Sequence, residues 1–283
     1  MNDLAPRPPA AAPVAPHQRV RGRAEVALVA GPRAARLTRL FQQGSAKALL
    51  PRVHTDRPEV VFLNTAGGLT GGDDLHLSLS LGDGVRAVAT TQTAERAYAS
   101  LGAPARMTVH LQAGAGAVLH WLPQETILFD RAALHRRTEI DLAGDADLVM
   151  AETLVLGRAA MGETVRHLDC RDLRAVRRDG RAVLVDPFRL TSDALARRVG
   201  PAMLGDAVAL AVLARVAPGA EDTLGPVRAA LADLSPGVRG AASGWDGRVV
   251  VRLLAADAFA LRRVVARLLR VMTGRALPRV WAA

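Results

Sequence analysis

Lysine, cysteine and aromatic residues are all scarce in this chain, and each scarcity excludes something. One lysine, Lys47, stands among 37 basic residues, so arginine carries almost all of a formal net charge of +10. Cys170 is the single cysteine, which excludes an internal disulfide and a multi-cysteine metal site. Aromatics are 3% of residues, too few for the stacking platforms of a single-strand-binding protein. A core must therefore be built from Ala, Val and Leu. No stretch approaches the roughly 20 uninterrupted apolar residues that span a bilayer. Residues 1–16 are rich in Pro and Ala without an apolar h-region, and read as a disordered tail rather than a signal peptide. The expectation is a soluble, cytoplasmic protein with no membrane partner.

Half of the 283 residues are hydrophobic, enough for a sizeable core, and no composition break inside 17–283 marks a linker, so one domain is expected there. The abundance of Ala, Gly, Val and Arg fits a GC-rich coding sequence, which tempers the charge argument. Taken alone, the charge suggests nucleic acid or an acidic partner. The pattern is mainly one of short strands: 23–29, 36–50, 60–63, 75–81, 85–90, 107–111, 118–122, 134–142 and 148–156. Asp179-Gly180 and Asp246-Gly247 predict tight hairpins, and Pro123 ends the strand before it. Helical spacing appears late, at 220–234 and at 256–273, where Asp257 is the expected N-cap and Gly274 the stop. No fixed-period repeat stands out.

The chain is organised around Gly67-Gly68-Leu69-Thr70-Gly71-Gly72-Asp73-Asp74. Two glycine pairs ask for backbone geometry that side chains forbid. A phosphate-binding loop would need Gly-Lys-Ser/Thr at its end, whereas Asp73 and Asp74 follow here and repel phosphate. What comes next alternates as a strand and not as a helix, so the loop reads as a tight strand connection.

Seven histidines are scattered without a metal-ligand spacing, and His76 and His110 fall on the polar phase of their strands. His120 falls in an apolar strand. Cys170 sits in Asp169-Cys170-Arg171-Asp172, and nucleophilic catalysis by it would need a base that the sequence does not locate. Two acids resist a bland reading. Glu152 interrupts the apolar run from Leu148 to Leu156, where a carboxylate facing inward needs a partner or an ion. Glu163 lies just beyond, in a turn. Pairing with Arg158 is the structural alternative for both.

Five ordered motifs then carry a resemblance. Asn64-Thr65-Ala66-Gly67-Gly68-Leu69-Thr70-Gly71-Gly72-Asp73, Thr90-Thr91-Gln92-Thr93, and Leu122-Pro123-Gln124-Glu125-Thr126-Ile127-Leu128-Phe129 come first. Glu152-Thr153-Leu154-Val155-Leu156-Gly157-Arg158 with Met161-Gly162-Glu163, and Leu277-Pro278-Arg279-Val280-Trp281, follow. Together they resemble the UreD (UreH) family of urease accessory proteins, over essentially all of 20–281. Arg96 stands where the family carries lysine, and some members carry Asp at Glu152.

The resemblance implies no enzyme. It implies a mainly β protein, with short strands in stacked, β-helix-like layers and a few helices in the C-terminal part. It implies a scaffold that docks on apo-urease with the F-type accessory protein and, through it, the G-type GTPase. Nickel is then cargo in transit, with no tightly bound cofactor. Asp73, Glu152 and Glu163 become weak nickel-transit candidates, and Gly67, Gly68, Gly71 and Gly72 a structural loop. Isolated carboxylates suit this role, because imidazole and thiolate hold Ni(II) more strongly. A basic nucleic-acid-binding protein is the alternative from charge alone, and a carboxylate hydrolase a third reading. The scaffold reading expects neither nucleic acid nor membrane as a partner.

Overall fold

The computed structural model describes residues 19–52, 57–200 and 203–282. The proposed tail at 1–16 lies outside them. In chain order the strands begin with β1 (Arg21–Val29), β2 (Arg36–Gly44), β3 (Ala46–Leu49), β4 (Glu59–Asn64), β5 (Asp74–Leu81) and β6 (Arg86–Thr91). Next come β7 (Glu95–Ala97), β8 (Ala105–Ala113), β9 (Val118–Trp121), β10 (Thr126–Leu128), β11 (Ala132–Leu142) and β12 (Asp147–Leu156). The hairpin β13 (Leu168–Arg178) and β14 (Arg181–Thr191) follows, then helix α1 (Ser192–Ala196) and β15 (Ala209–Val216). Helix α2 (Leu224–Ala232), the hairpin β16 (Val238–Trp245) and β17 (Arg248–Ala255), and helix α3 (Ala258–Thr273) complete the list.

These strands form two sheets. One has seven strands in the order β14-β13-β11-β8-β5-β1-β2, and the other has ten, on a path β16-β17-β15-β12-β9-β6-β4-β3 with β7 and β10 beside it. From β5 onward the chain alternates between them, so β5, β8, β11 and β13 lie parallel in one sheet while β4, β6, β9 and β12 lie parallel in the other. Each pair of strands is one coil of a layered, solenoid-like stack.

The coils explain a periodicity that local reading missed. Their tight ends stack: Asp83 accepts from Ala115 N, Asp145 from Gly116 N and Asp179 from Gly144 N, at separations of 32, 29 and 35 residues. The repeat is one of backbone geometry, with unequal coil lengths and no shared side-chain signature beyond Gly and Asp, so no fixed period shows in the sequence.

Period-2 alternation builds the interior. Leu75, Leu77, Leu79 and Leu81 of β5 lie beside Met107, Val109, Leu111 and Ala113 of β8 on the face buried between the sheets. On the far side of the ten-stranded sheet, Leu261, Val264, Val265, Leu268, Leu269 and Met272 of α3 form a second core with Val149, Ala151, Leu213 and Val251. Burying each of those helix side chains contributes about 1.5–3 kcal/mol. Asp257 caps α3 by accepting from Phe259 N and Ala260 N, and Gly274 ends it in the left-handed conformation. At 220–234 a short 3-10 turn precedes α2, so the helix starts at Leu224 and is shorter than its periodicity predicts. Segment 36–50 also divides, because Gly44 turns the chain between β2 and β3.

Candidate functional site

The loops opposite the tight turns bring all five sequence motifs to one end of the stack. Leu69 N donates to Arg96 O and Tyr98 N to Leu69 O, Phe129 N donates to Ala97 O, and Gly157 N to Leu128 O. Thr90 Oγ1 donates to Leu122 O at 2.6 Å, and Gln124 N to Thr91 Oγ1 at 2.9 Å. Trp281 closes the circuit by donating its indole N–H to Leu122 O at 2.9 Å. Arg262 of α3 reaches Glu125 at 3.0 Å and stacks over the Trp281 ring.

A Cβ on Gly68 would overlap the Tyr98 ring, and one on Gly71 would overlap Ser100 and Ala103 O. Asp73 is buried and accepts from Val20 N and Thr70 N, each at 2.8 Å, so it ties the loop to the start of β1. Glu163 accepts from Asp130 N and Arg158 N at 3.1 Å and from Arg158 Nε at 2.7 Å. The Arg158 hydrogen bond holds its carboxyl below the usual range, against a smaller opposing effect of burial.

Glu152 sits elsewhere, on the face of β12 turned between the sheets, and is 2% exposed. Its partner is not Arg158, since Gly157 turns the chain away and leaves Arg158 to pair with Glu163 and lie over the Phe129 ring. Thr138 donates to Glu152 Oε1 at 2.7 Å and the Trp121 indole N–H at 3.4 Å. Arg136 Nη2 lies 3.0 Å from Oε2 and Arg174 Nη1 3.7 Å away. Neither aligns an N–H with that oxygen, so Oε2 makes charge contact without a hydrogen bond.

The cluster continues from there. Arg136 forks onto Asp172 at 2.9 and 2.6 Å and donates to Thr126 at 3.1 Å. Arg174 lies 3.2 Å from Asp172 and, misaligned for a hydrogen bond, 2.9 Å from Asp186. Arg252 reaches Asp186 at 2.6 Å from the surface. On Asp172 burial pushes the pKa up, but the Arg136 guanidinium and its hydrogen bonds outweigh it and hold the carboxyl below its ordinary range. Burial also works against the Arg136 proton, which Asp172 and Glu152 retain. Cys170 beside them is pushed up to about 12, by burial and then by Asp172, so it is an inert thiol at neutral pH.

Glu152 and Arg174 open onto a cavity of about 550 Å³, walled by Leu154, Phe188, Leu210 and Leu253 and rimmed by Arg239 and Arg252. Asp73, Glu152 and Glu163 have no hydrogen-bonding partner in common. Among the described residues no group of three or more His, Cys, Asp or Glu is placed to hold a metal ion.

Arg136, Asp172, Arg174 and Asp186 were missed as site residues, although a signal was present. Leu134, Arg136, Thr138, Ile140 and Leu142 share one phase of β11, so the first of two polar intruders is a buried arginine. Cys170, Asp172, Arg174 and Val176 repeat this on β13. Alternation marked the face; testing every polar residue against that phase would have found them.

Layered coils, motif loops gathered at one end and a buried ion cluster beside a cavity define a β scaffold with an internal polar site. A model of the UreD urease accessory protein family matches residues 20–282, and the chain belongs to that family. It is 58% identical to the urease accessory protein UreD of Cereibacter sphaeroides (strain ATCC 17025), over 93% of this chain and 95% of that protein. It is 54% identical to UreD of Paracoccus denitrificans, over 93% and 92% of the two chains. UreD of Rhizobium leguminosarum bv. viciae is 42% identical, over 93% and 96%.

Proposed function

We propose that this protein is a nickel-insertion scaffold of the cytoplasm. It docks on apo-urease with the F- and G-type accessory proteins and conducts nickel towards the urease active site while the G-type partner hydrolyses GTP. It catalyses no reaction of its own, and nickel is its cargo.

One observation carries the reading: Glu152, a buried carboxylate with an oxygen free of hydrogen bonds, opens on a 550 Å³ cavity between the sheets. Among the three candidate acids it is the one with acceptor capacity to spare. Asp73 and Glu163 have both oxygens engaged, so they serve transit only by exchanging those bonds. The guanidiniums of Arg136 and Arg174 already offset the Glu152 charge. A divalent ion would therefore be held weakly there, which suits a conduit better than a store. Among the described residues no helix is long and apolar enough to cross a membrane.

Co-purification tests the assembly. Tagged chain, expressed with urease subunits and the F- and G-type proteins, is expected to recover all of them in one complex. Recovery of the chain alone, monodisperse and free of these proteins, would refute the scaffold.

A further inference from the structure

The outward face of the seven-stranded sheet carries a charge pattern that extends well beyond the cavity and the glycine loop, which it meets only at Arg189 and Asp74. Strand register sets Arg21, Asp74, Arg106, His135, Arg171 and Arg189 side by side across six strands. With strands about 4.8 Å apart, this row runs roughly 24 Å. The next row on the same face adds Arg23 and Arg137, and the row after it is acidic, with Glu25 and Glu139.

Pairing within the face is incomplete. Arg23 and Arg39 are spent on Glu25, Arg137 on Glu139, and Arg171 and His135 on Asp169 at 3.4 and 3.2 Å. Asp74 is engaged by His76 at 2.9 Å. The side chains of Arg21, Arg106 and Arg189 make no ion pair or hydrogen bond among the described residues. Arg106, Arg171 and Arg189 also rim a groove of about 520 Å³ lined by Leu173, Pro187 and Phe188. An arginine row beside an apolar strip is the composition of a protein interface, where guanidinium is enriched and lysine depleted.

We propose that this face docks a folded partner protein through a row of carboxylates laid across Arg21, Arg106 and Arg189. The inference rests on the scaffold reading, and identifies the chemistry of one contact. The striping selects protein over nucleic acid. Glu25 and Glu139, each paired to arginine, break the run of positive charge that a phosphate backbone lying on the face would follow, and neither basic row carries Phe, Tyr or Trp to stack a base. A protein can mirror the stripes, with carboxylates against the arginine rows and a cation against the acidic one.

The test uses the full chain, tagged and co-expressed with urease subunits and the F- and G-type proteins, purified with and without nuclease at low and raised salt. The variant is R106E/R189E, whose reversal breaks no internal pair. A charge-matched control, R86E/R181E, lies at the tight-turn end. The expected result is about tenfold lower recovery of one partner by R106E/R189E, with the others and the control unchanged, and loss of that same partner from wild type as salt rises. Wild-type recovery of every partner by R106E/R189E would overturn the docking face and leave the scaffold reading standing. Loss confined to nuclease-sensitive material would overturn it in favour of nucleic acid. A wild-type chain that captures none of these proteins would overturn the scaffold reading and this inference together.

Discussion

Replacing Arg136 by methionine keeps a long unbranched side chain and removes the guanidinium that lies nearest both Glu152 and Asp172. In the wild type it sits 3.0 Å from Glu152 and 2.6 Å from Asp172, with all three side chains at most 3% exposed. After substitution Arg174 is the one cation left to Glu152 and Asp172, at 3.7 and 3.2 Å, and it shares Asp186 with Arg252. Breaking a buried pair by removing one partner costs about 3–5 kcal/mol, because the remaining charge stays desolvated. Set against a typical domain stability of about 5–15 kcal/mol, that is a large fraction. The double variant Arg136→Met/Asp172→Leu removes one charge of each sign and so returns the cluster to its wild-type balance. It is expected to regain most of the loss, since apolar replacement of a buried pair is often neutral or better. Urea unfolding of the co-expressed, purified chain reads both, as a shift in midpoint at constant slope. An Arg136→Met midpoint equal to wild type, or a double variant less stable than the single one, would refute the picture of a coupled buried cluster.

Two further outcomes follow from the same geometry. Burial, and then the nearby Arg57, lowers the His120 pKa to about 4, so the folded chain declines a proton that the unfolded chain accepts below about 6.5. Stability contributed by His120 is therefore complete above pH 6.5 and lost as pH falls towards 4. Between pH 7 and pH 5 this amounts to about 2 kcal/mol, and a His120→Gln chain should lose correspondingly less stability over that interval, read by urea titration at each pH. The second outcome concerns nucleotides. In the glycine loop the amides of Leu69, Thr70, Gly72, Asp73 and Asp74 already donate to protein oxygens. Calorimetry of the isolated chain with GTP or ATP is expected to show no binding, and micromolar affinity would mean that the loop had been misread.

Much of the fold was legible because alternation is local. β5, β8 and β11 declare themselves by side chains that change phase at every residue, β12 by a nearly unbroken apolar run, and the Asp179-Gly180 hairpin by two residues that both adopt positive φ. What stayed hidden was pairing. Whether β11 lies parallel to β8 and β13 depends on coils some 30 residues long, and no residue in a strand encodes its neighbour's direction. β15 and β16 also escaped, since Ala, Gly and Arg blur their alternation. At the candidate site, Glu152 was visible as a carboxylate in an apolar run, but its partners came from strands 16 and 22 residues away in the facing sheet. Proximity in sequence pointed to Arg158; the sandwich supplied Arg136 and Arg174.

Nickel per urease, measured beside recovery of the accessory complex, tests the conduit most directly. Glu152→Gln keeps the acceptor for Thr138 and Trp121 while removing the charge, and Glu152→Lys places a cation on the cavity wall, where repulsion grows as water is excluded. The account predicts that urease matured with Glu152→Gln contains less nickel than with the wild type, that urease matured with Glu152→Lys contains less still, and that the complex is recovered in both cases. Full nickel loading with both variants, in complexes recovered at wild-type yield, would contradict it.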